Sequence, residues 1–254
     1  MIDTHCHLCD KRFDKDRQQV FDRAHHVGVT HFVEIAYGPG IWDRGFALAA
    51  QHPNVFLAVG VHPNEAGQVP MEALPALRAH ARHPRVVAIG EIGMDFFRDY
   101  APREAQERWF REQLALADEV GLPVVIHQRS ALADVLGILE AARPAAGGVL
   151  HCFDQDAATV DRARALGFKL GLGGVLTYGH AELDDAIRTA PEDMLLLETD
   201  APYLEPEPRS LKRNEPSLLP RVVRRLCELR DWTPQQAVEI TRRNSLALFR
   251  MPID

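Results

Sequence analysis

Two histidines two positions apart, His5 and His7, close the opening stretch Met1-Ile2-Asp3-Thr4-His5-Cys6-His7-Leu8. Side chains alternate along an extended strand, so both imidazoles would project from one face and grip one cation. Neutral imidazole is the commonest protein ligand for zinc-like metals. Further along, Glu91, His127, His151 and Asp200 answer the pair. Four imidazoles and two carboxylates suffice for two divalent ions, with Glu91 as the bridge and water and substrate in the remaining positions. Singly, each has an ordinary role: a satisfied histidine, a helix cap for Glu91, a turn residue for Asp200 before Ala201-Pro202.

What makes the six a set is the pattern of elements that would carry them. Extended stretches are predicted over 1–8, 31–36, 55–61, 86–91, 123–127, 148–151, 168–172 and 194–200, several of them continuous apolar runs of the kind buried on both faces of a parallel sheet. Between and after them, helical periodicity is predicted over 14–28, 41–51, 71–82, 103–120, 131–142, 157–166, 183–188, 216–230 and 234–248. Eight strand-then-helix units in 254 residues point to a single-domain α/β fold, a (β/α)8 TIM barrel, more than to an open doubly wound sheet. The candidate ligands follow the first, fourth, fifth, sixth and eighth strands, each at or near a carboxyl end. Those ends share one face in a parallel barrel, the face on which barrel active sites are built. The proline-rich stretch 202–220 reads as an extended loop over that mouth.

Composition narrows the function classes. An apolar fraction of 46% and a charged fraction of 26% belong to a globular chain with a sizeable core. No apolar run approaches a membrane span and no basic-then-apolar start is present, so a cytoplasmic, non-membrane protein is expected. A formal charge of −7 disfavours non-specific coating of nucleic acid but leaves room for an enzyme that meets phosphate at a metal centre. Cys6, Cys9, Cys152 and Cys227 are too scattered for a disulfide framework and are read as free thiols.

Several linked stretches resemble the TatD family of metal-dependent deoxyribonucleases, within the amidohydrolase superfamily: residues 1–8, Gly60-Val61-His62-Pro63, Gly90-Glu91-Ile92-Gly93-Met94-Asp95-Phe96, His151-Cys152-Phe153, Glu198-Thr199-Asp200-Ala201-Pro202-Tyr203-Leu204 and Lys212-Arg213-Asn214-Glu215-Pro216. They run in order along the whole chain. The resemblance implies a (β/α)8 barrel, one or two divalent ions (Zn, Mn, Mg, Co or Fe) and hydrolysis of DNA phosphodiester bonds from 3′ ends or single strands. By motif, the metal ligands would be His5, His7, Glu91, His127, His151 and Asp200. Two positions depart from the family's pattern. Asn64 stands where many relatives have a second histidine, and Ser210-Leu211 where they have Arg-Gly; both are expected in substrate-contacting loops.

The mechanism expected is attack by a metal-activated water, with Asp200 as general base and Glu91 holding the ions at fixed separation. His62 is expected to contact phosphate or substrate, as is Arg129, two residues past His127. Arg209, Lys212 and Arg213 would position phosphates, and Tyr203 would stack on a terminal base. The protein is expected to act as a monomer. Two other classes share the ligand set: a small-molecule amidohydrolase or phosphatase, and a non-catalytic metal-bound interaction protein.

Overall fold

The computed structural model describes residues 1–209, 211 and 213–252. Eight strands, β1 (Ile2–Cys6), β2 (His31–Ala36), β3 (Val55–Val59), β4 (Val86–Asp95), β5 (Val124–Arg129), β6 (Gly148–Leu150), β7 (Phe168–Leu172) and β8 (Leu195–Leu197), form one sheet in sequence order. The pairs β1–β2, β3–β4, β4–β5, β5–β6 and β7–β8 are parallel. Helices α1 (Arg17–His26), α2 (Pro39–Gln51), α3 (Leu74–Ala81), α4 (Arg103–Val120), α5 (Leu132–Ala142), α6 (Ala157–Ala165), α7 (Ala181–Thr189), α8 (Leu219–Arg230) and α9 (Pro234–Phe249) alternate with the strands or follow the last. The fold is the (β/α)8 barrel that the alternation predicts.

The chain's contacts gather into two compact units. The first comprises Met1–Glu34, Cys152–Ala165 and Lys169–Ala247. Its core is built on Ile2, Phe21, Phe32, Leu172, Leu196 and Leu226, all buried, with the Phe21 and Phe32 rings edge to face at 5.2 Å. A parallel bridge from Cys6 to Ala201, with His7 N–H donating to Ala201 O at 2.7 Å, joins the first strand to the chain after β8.

The second unit comprises Ile35–His151, Leu166–Phe168 and the chain from Leu248 onward. All residues of β3 and β4 are buried, as expected for central strands of a parallel sheet. α4 buries Gln106, Trp109, Phe110, Gln113, Leu114 and Ala117, a stripe at helical spacing, and ends on Gly121 in the left-handed region at φ 69°. The two glutamines in that stripe clamp backbone. Gln113 accepts from Val61 N–H at 2.6 Å and donates to Val61 O at 3.1 Å, while Gln106 does the same for Asp95 at 2.8 and 3.1 Å. One helix thereby fixes the chain beside His62 and the end of β4.

One boundary corrects the sequence reading in a way that matters. β4 runs to Asp95, so Glu91 lies inside the strand and not at its carboxyl end. Gly93 permits the extension: its φ is +137°, and a Cβ there would collide with the carbonyl oxygen of His127. With no side chain in the way, β4 stays paired to β5 through Gly93↔His127 and Asp95↔Arg129, after a register shift between Gly90 and Ile92. His127 is likewise inside β5. Among the described residues, no helix is long and apolar enough to cross a membrane.

Candidate active site

The first unit holds a three-donor group. His5 is the penultimate residue of β1, His7 lies one residue beyond that strand, and Asp200 lies three residues beyond β8. Asp200 Oδ1 stands 3.2 Å from His7 Nε2 and 3.6 Å from His5 Nε2, and the three side chains are nearly buried. Donors around a tetrahedral ion with bonds of about 2.1 Å are separated by about 3.4 Å, so this group fits a zinc-like divalent cation.

The group is held from behind by buried acids. Asp3 shares a side of β1 with His5, and its carboxylate accepts Thr199 N–H at 2.9 Å and Thr199 Oγ1–H at 2.6 Å. That fixes the turn carrying Asp200, whose own N–H donates to His5 O at 2.9 Å. Asp200 adopts φ 57°, a left-handed conformation that aspartate tolerates better than most residues. Asn214 completes the turn by donating to Thr199 O at 2.8 Å and Tyr203 O at 2.6 Å. Glu34 on β2 accepts the N–H groups of Leu8 at 2.5 Å and Cys9 at 3.1 Å, anchoring the chain just past His7. Burial pushes Asp3 and Glu34 up to about 7 against the pull of these hydrogen bonds. Glu198, also buried, accepts Cys152 N–H at 2.6 Å.

The second unit holds another group, centred on Glu91. Its Oε1 lies 2.6 Å from His127 Nδ1, 3.5 Å from His62 Nε2 and 3.7 Å from His151 Nε2. Donor atoms of His62, Glu91 and His127 all fall within 4.8 Å of one another. His62 differs from the others in one respect. Its Nδ1 accepts Asn64 N–H at 3.0 Å, so the neutral ring must carry its proton on Nε2 and present a donor there, not a ligand lone pair. Glu91, His127 and His151 are then the ligand-competent members.

Behind His127 stands a carboxylate to which the sequence reading assigned no role. Asp95 Oδ2 lies 3.2 Å from His127 Nε2 and accepts Asn64 Nδ2–H at 3.3 Å; its Oδ1 accepts Phe97 N–H at 3.0 Å and Arg98 N–H at 2.9 Å. Burial alone would raise Asp95, but the hydrogen bonds from His127 and Arg98 outweigh it and hold the carboxyl down to about 2. Burial likewise works against the His127 cation, yet Asp95 and Glu91 together raise its pKa. A histidine with one nitrogen on a carboxylate and the other facing a ligand group has the orientation typical of metal-binding imidazole. Asn64, expected to line a substrate loop, instead spends its amide on Asp95, and its Oδ1 is buried without a partner.

The remaining candidates scatter. Tyr203 is 45% exposed, with its ring edge on His7 at 5.6 Å and the Arg12 guanidinium 4.2 Å over its face. Arg129 is exposed and lies 3.8 Å over the Phe97 ring. Arg209 pairs with Glu207 at 2.8 Å and stands over Tyr178. Arg213 donates to both carboxylate oxygens of Asp16, at 2.8 and 2.7 Å, and to Arg12 O at 2.6 Å, so its guanidinium ties the stretch before α8 to the one before α1. Lys212 and Ser210 lie outside the described residues. None of the four cysteines is in a disulfide.

Comparison with known proteins agrees with this donor chemistry. The TatD related DNase family matches residues 2–250. An uncharacterized metal-dependent hydrolase, YabD, of Bacillus subtilis (strain 168) is 36% identical over 99% of this chain and 99% of its own length. The 3′-5′ ssDNA/RNA exonuclease TatD of Pantoea vagans (strain C9-1) is 37% identical over 99% of this chain and 100% of its own. The crystal structure of YJJV, a TatD homologue from Escherichia coli K12, superposes with a TM-score of 0.94 at 33% identity, covering 99% of this chain and 98% of that one. Matched from end to end in sequence and in fold, the chain belongs to the TatD related DNase family and is a metal-dependent hydrolase.

Proposed function

We propose that this hydrolase cleaves phosphodiester bonds of single-stranded nucleic acid, DNA first among them, working inward from the 3′ end. The observation that carries the reading is the make-up of the donor groups, imidazole and carboxylate alone, with His5, His7 and Asp200 close to the spacing a divalent ion requires. Relatives at 35–37% identity named as 3′-5′ ssDNA/RNA exonucleases support the substrate and the polarity.

His5, His7 and Asp200 would hold one ion, and Glu91, His127 and His151 another. Bound there, divalent ions neutralise charge on the phosphoryl oxygens and make water acidic enough to lose a proton near neutral pH. Asp200 would take the proton of the attacking water as general base, its carboxylate aimed by the clamped turn 199–201. His62 donates from Nε2 to a phosphoryl oxygen, which its occupied Nδ1 obliges it to do in the neutral state. Tyr203, half exposed beside His7 and with Arg12 over its ring, would stack on the terminal base.

The test strips the purified protein with chelator, restores Zn, Mn, Mg, Co or Fe singly, and follows end-labelled single-stranded DNA and RNA beside a panel of amides, lactones and phosphate monoesters. Stepwise, metal-restored shortening of 3′ ends is expected. Turnover confined to the small molecules would replace the reading with an amidohydrolase or phosphatase, and no metal-restored turnover of any substrate would return it to a metal-bound interaction protein.

A further inference from the structure

Phe97 and Tyr100, both 59% exposed, are the most exposed large apolar side chains among the described residues. They stand together in the loop between β4 and α4. Loop residues so exposed gain nothing for folding, since exposed rings forgo the burial that would stabilise them. Their surroundings are cationic. The Arg129 guanidinium lies 3.8 Å over Phe97, Arg98 lies 5.7 Å from both the Phe97 and Tyr100 rings and donates to Tyr100 Oη at 3.5 Å, and Arg103 lies 3.8 Å over Phe96. Three guanidiniums on three rings, against the single loop carboxylate Asp99, make an unusual surface for a chain of net charge −7.

The loop is also tied to the chemistry. Asp95 Oδ1 accepts the N–H groups of Phe97 and Arg98, while Oδ2 of the same carboxylate faces His127 Nε2. Phe96 N–H donates to Arg129 O at 2.9 Å, locking the loop to the end of β5 two residues beyond His127. The backbone that carries the rings is therefore anchored beside an imidazole of the candidate site.

We propose that this loop is a base-stacking platform: Phe97 and Tyr100 stack on bases of the single strand next to the cleaved phosphodiester, while Arg98 and Arg129 contact the flanking phosphates. Exposed aromatics interleaved with cations are what sequence-tolerant binding of single strands requires, because every base has a π-face and every linkage a charge. The proposal rests on the nuclease reading given above and adds residues and a role to it.

The experiment measures equilibrium binding of the metal-loaded protein to a fluorescent phosphorothioate oligothymidylate, which resists cleavage, and to an abasic strand of equal length. Phe97→Ala should weaken oligothymidylate binding by about fivefold to a hundredfold. It should change abasic binding less than twofold, with metal content and thermal unfolding as in the parent protein. Phe97→Trp should restore affinity, and Arg129→Gln should lower the salt slope of binding by about one. Equal affinities of Phe97→Ala and the parent, or equal losses on both strands, would overturn the platform while leaving the nuclease reading standing. Failure of the parent protein to bind any strand would remove both. Loss of self-association in Phe97→Ala without loss of strand binding would reassign the patch to a second copy of the chain.

Discussion

Replacing Asp95 with asparagine isolates one consequence of the geometry, because the change is isosteric and alters only what the side chain presents to His127. As a carboxylate, Asp95 accepts from four groups: Phe97 N–H at 3.0 Å, Arg98 N–H at 2.9 Å, Asn64 Nδ2–H at 3.3 Å and His127 Nε2–H at 3.2 Å. Asparagine keeps one oxygen for the two backbone donors and turns an NH₂ toward His127. The imidazole must then accept at Nε2, which moves its proton to Nδ1, 2.6 Å from Glu91 Oε1. That is the atom positioned to meet an ion beside Glu91, and protonated it has no lone pair to give. Loss of such a supporting carboxylate lowers metal affinity by about 10- to 100-fold, roughly 1.4 to 2.7 kcal/mol. In serine proteases the same tautomer inversion by Asp→Asn costs about 10⁴ in turnover, which bounds the effect on catalysis from above. Chelator-competition titration reads the affinity, and ¹⁵N shifts of the His127 ring in metal-free protein, taken at a pH where the ring is neutral, report which nitrogen bears the proton. Asp95→Asn with metal affinity within twofold of the parent and its proton still on Nε2 would refute the argument.

Asp200→Asn should fold normally, with a thermal midpoint within a few degrees of the parent, yet lose most turnover of a labelled single strand; near-normal cleavage would end its role as general base. Gly93→Ala should destabilise by several kcal/mol in urea titrations, since φ of +137° is strained for alanine and the new Cβ meets the His127 carbonyl. Asp3 and Glu34 give a signed pH dependence. Their folded values of about 7 lie above the ordinary 3.8 and 4.5, so the folded state binds the extra protons and the associated stability, complete below those ordinary values, is lost as pH rises through about 7. Urea unfolding of chelated protein between pH 5 and 8 should therefore show falling stability, and a flat profile would refute the shifts. A saturating divalent ion should reverse part of that loss, by about 2.7 kcal/mol at a hundredfold excess over its Kd, read as a rise in thermal midpoint.

What the sequence discloses is residue type and period, and these sufficed wherever a single element acts alone. β2 over His31–Ala36 and α4 over Arg103–Val120 coincide with their predicted spans, because an uninterrupted apolar run and a long helical stripe each have one interpretation. The end of β4 was hidden for the opposite reason. Gly93-Met94-Asp95 looks like the start of a loop, and only the carbonyl of His127 on the neighbouring strand explains why a glycine continues the pairing. His62 was legible as a polar strand-end residue, but its proton is placed by the N–H of Asn64 in a turn whose geometry no periodicity foretells. Asp3, Asp95 and Glu198 carried motif membership without a role, and Glu34 only a place in a strand, since the partners of a supporting carboxylate lie across strands and not along them.

Those supporting carboxylates change what a departure from the family's pattern means. Read along the chain, Asn64 is a loop residue after His62-Pro63, and its effect would fall on substrate preference. In the fold its amide reaches Asp95, and Asp95 reaches His127, so the side chain at position 64 acts on the imidazole through one intervening carboxylate. An amide there donates one hydrogen bond and adds no charge. A histidine at the same place would add a titratable group that competes with His127 for the acid holding it. On the proposed function, substrate choice would fall to the exposed rings and guanidiniums of the β4–α4 loop and to Tyr203, while position 64 would set how firmly Asp95 orients His127. Binding and metal affinity should therefore respond to different residues of this chain, even though Asp95 ties both to the end of one strand.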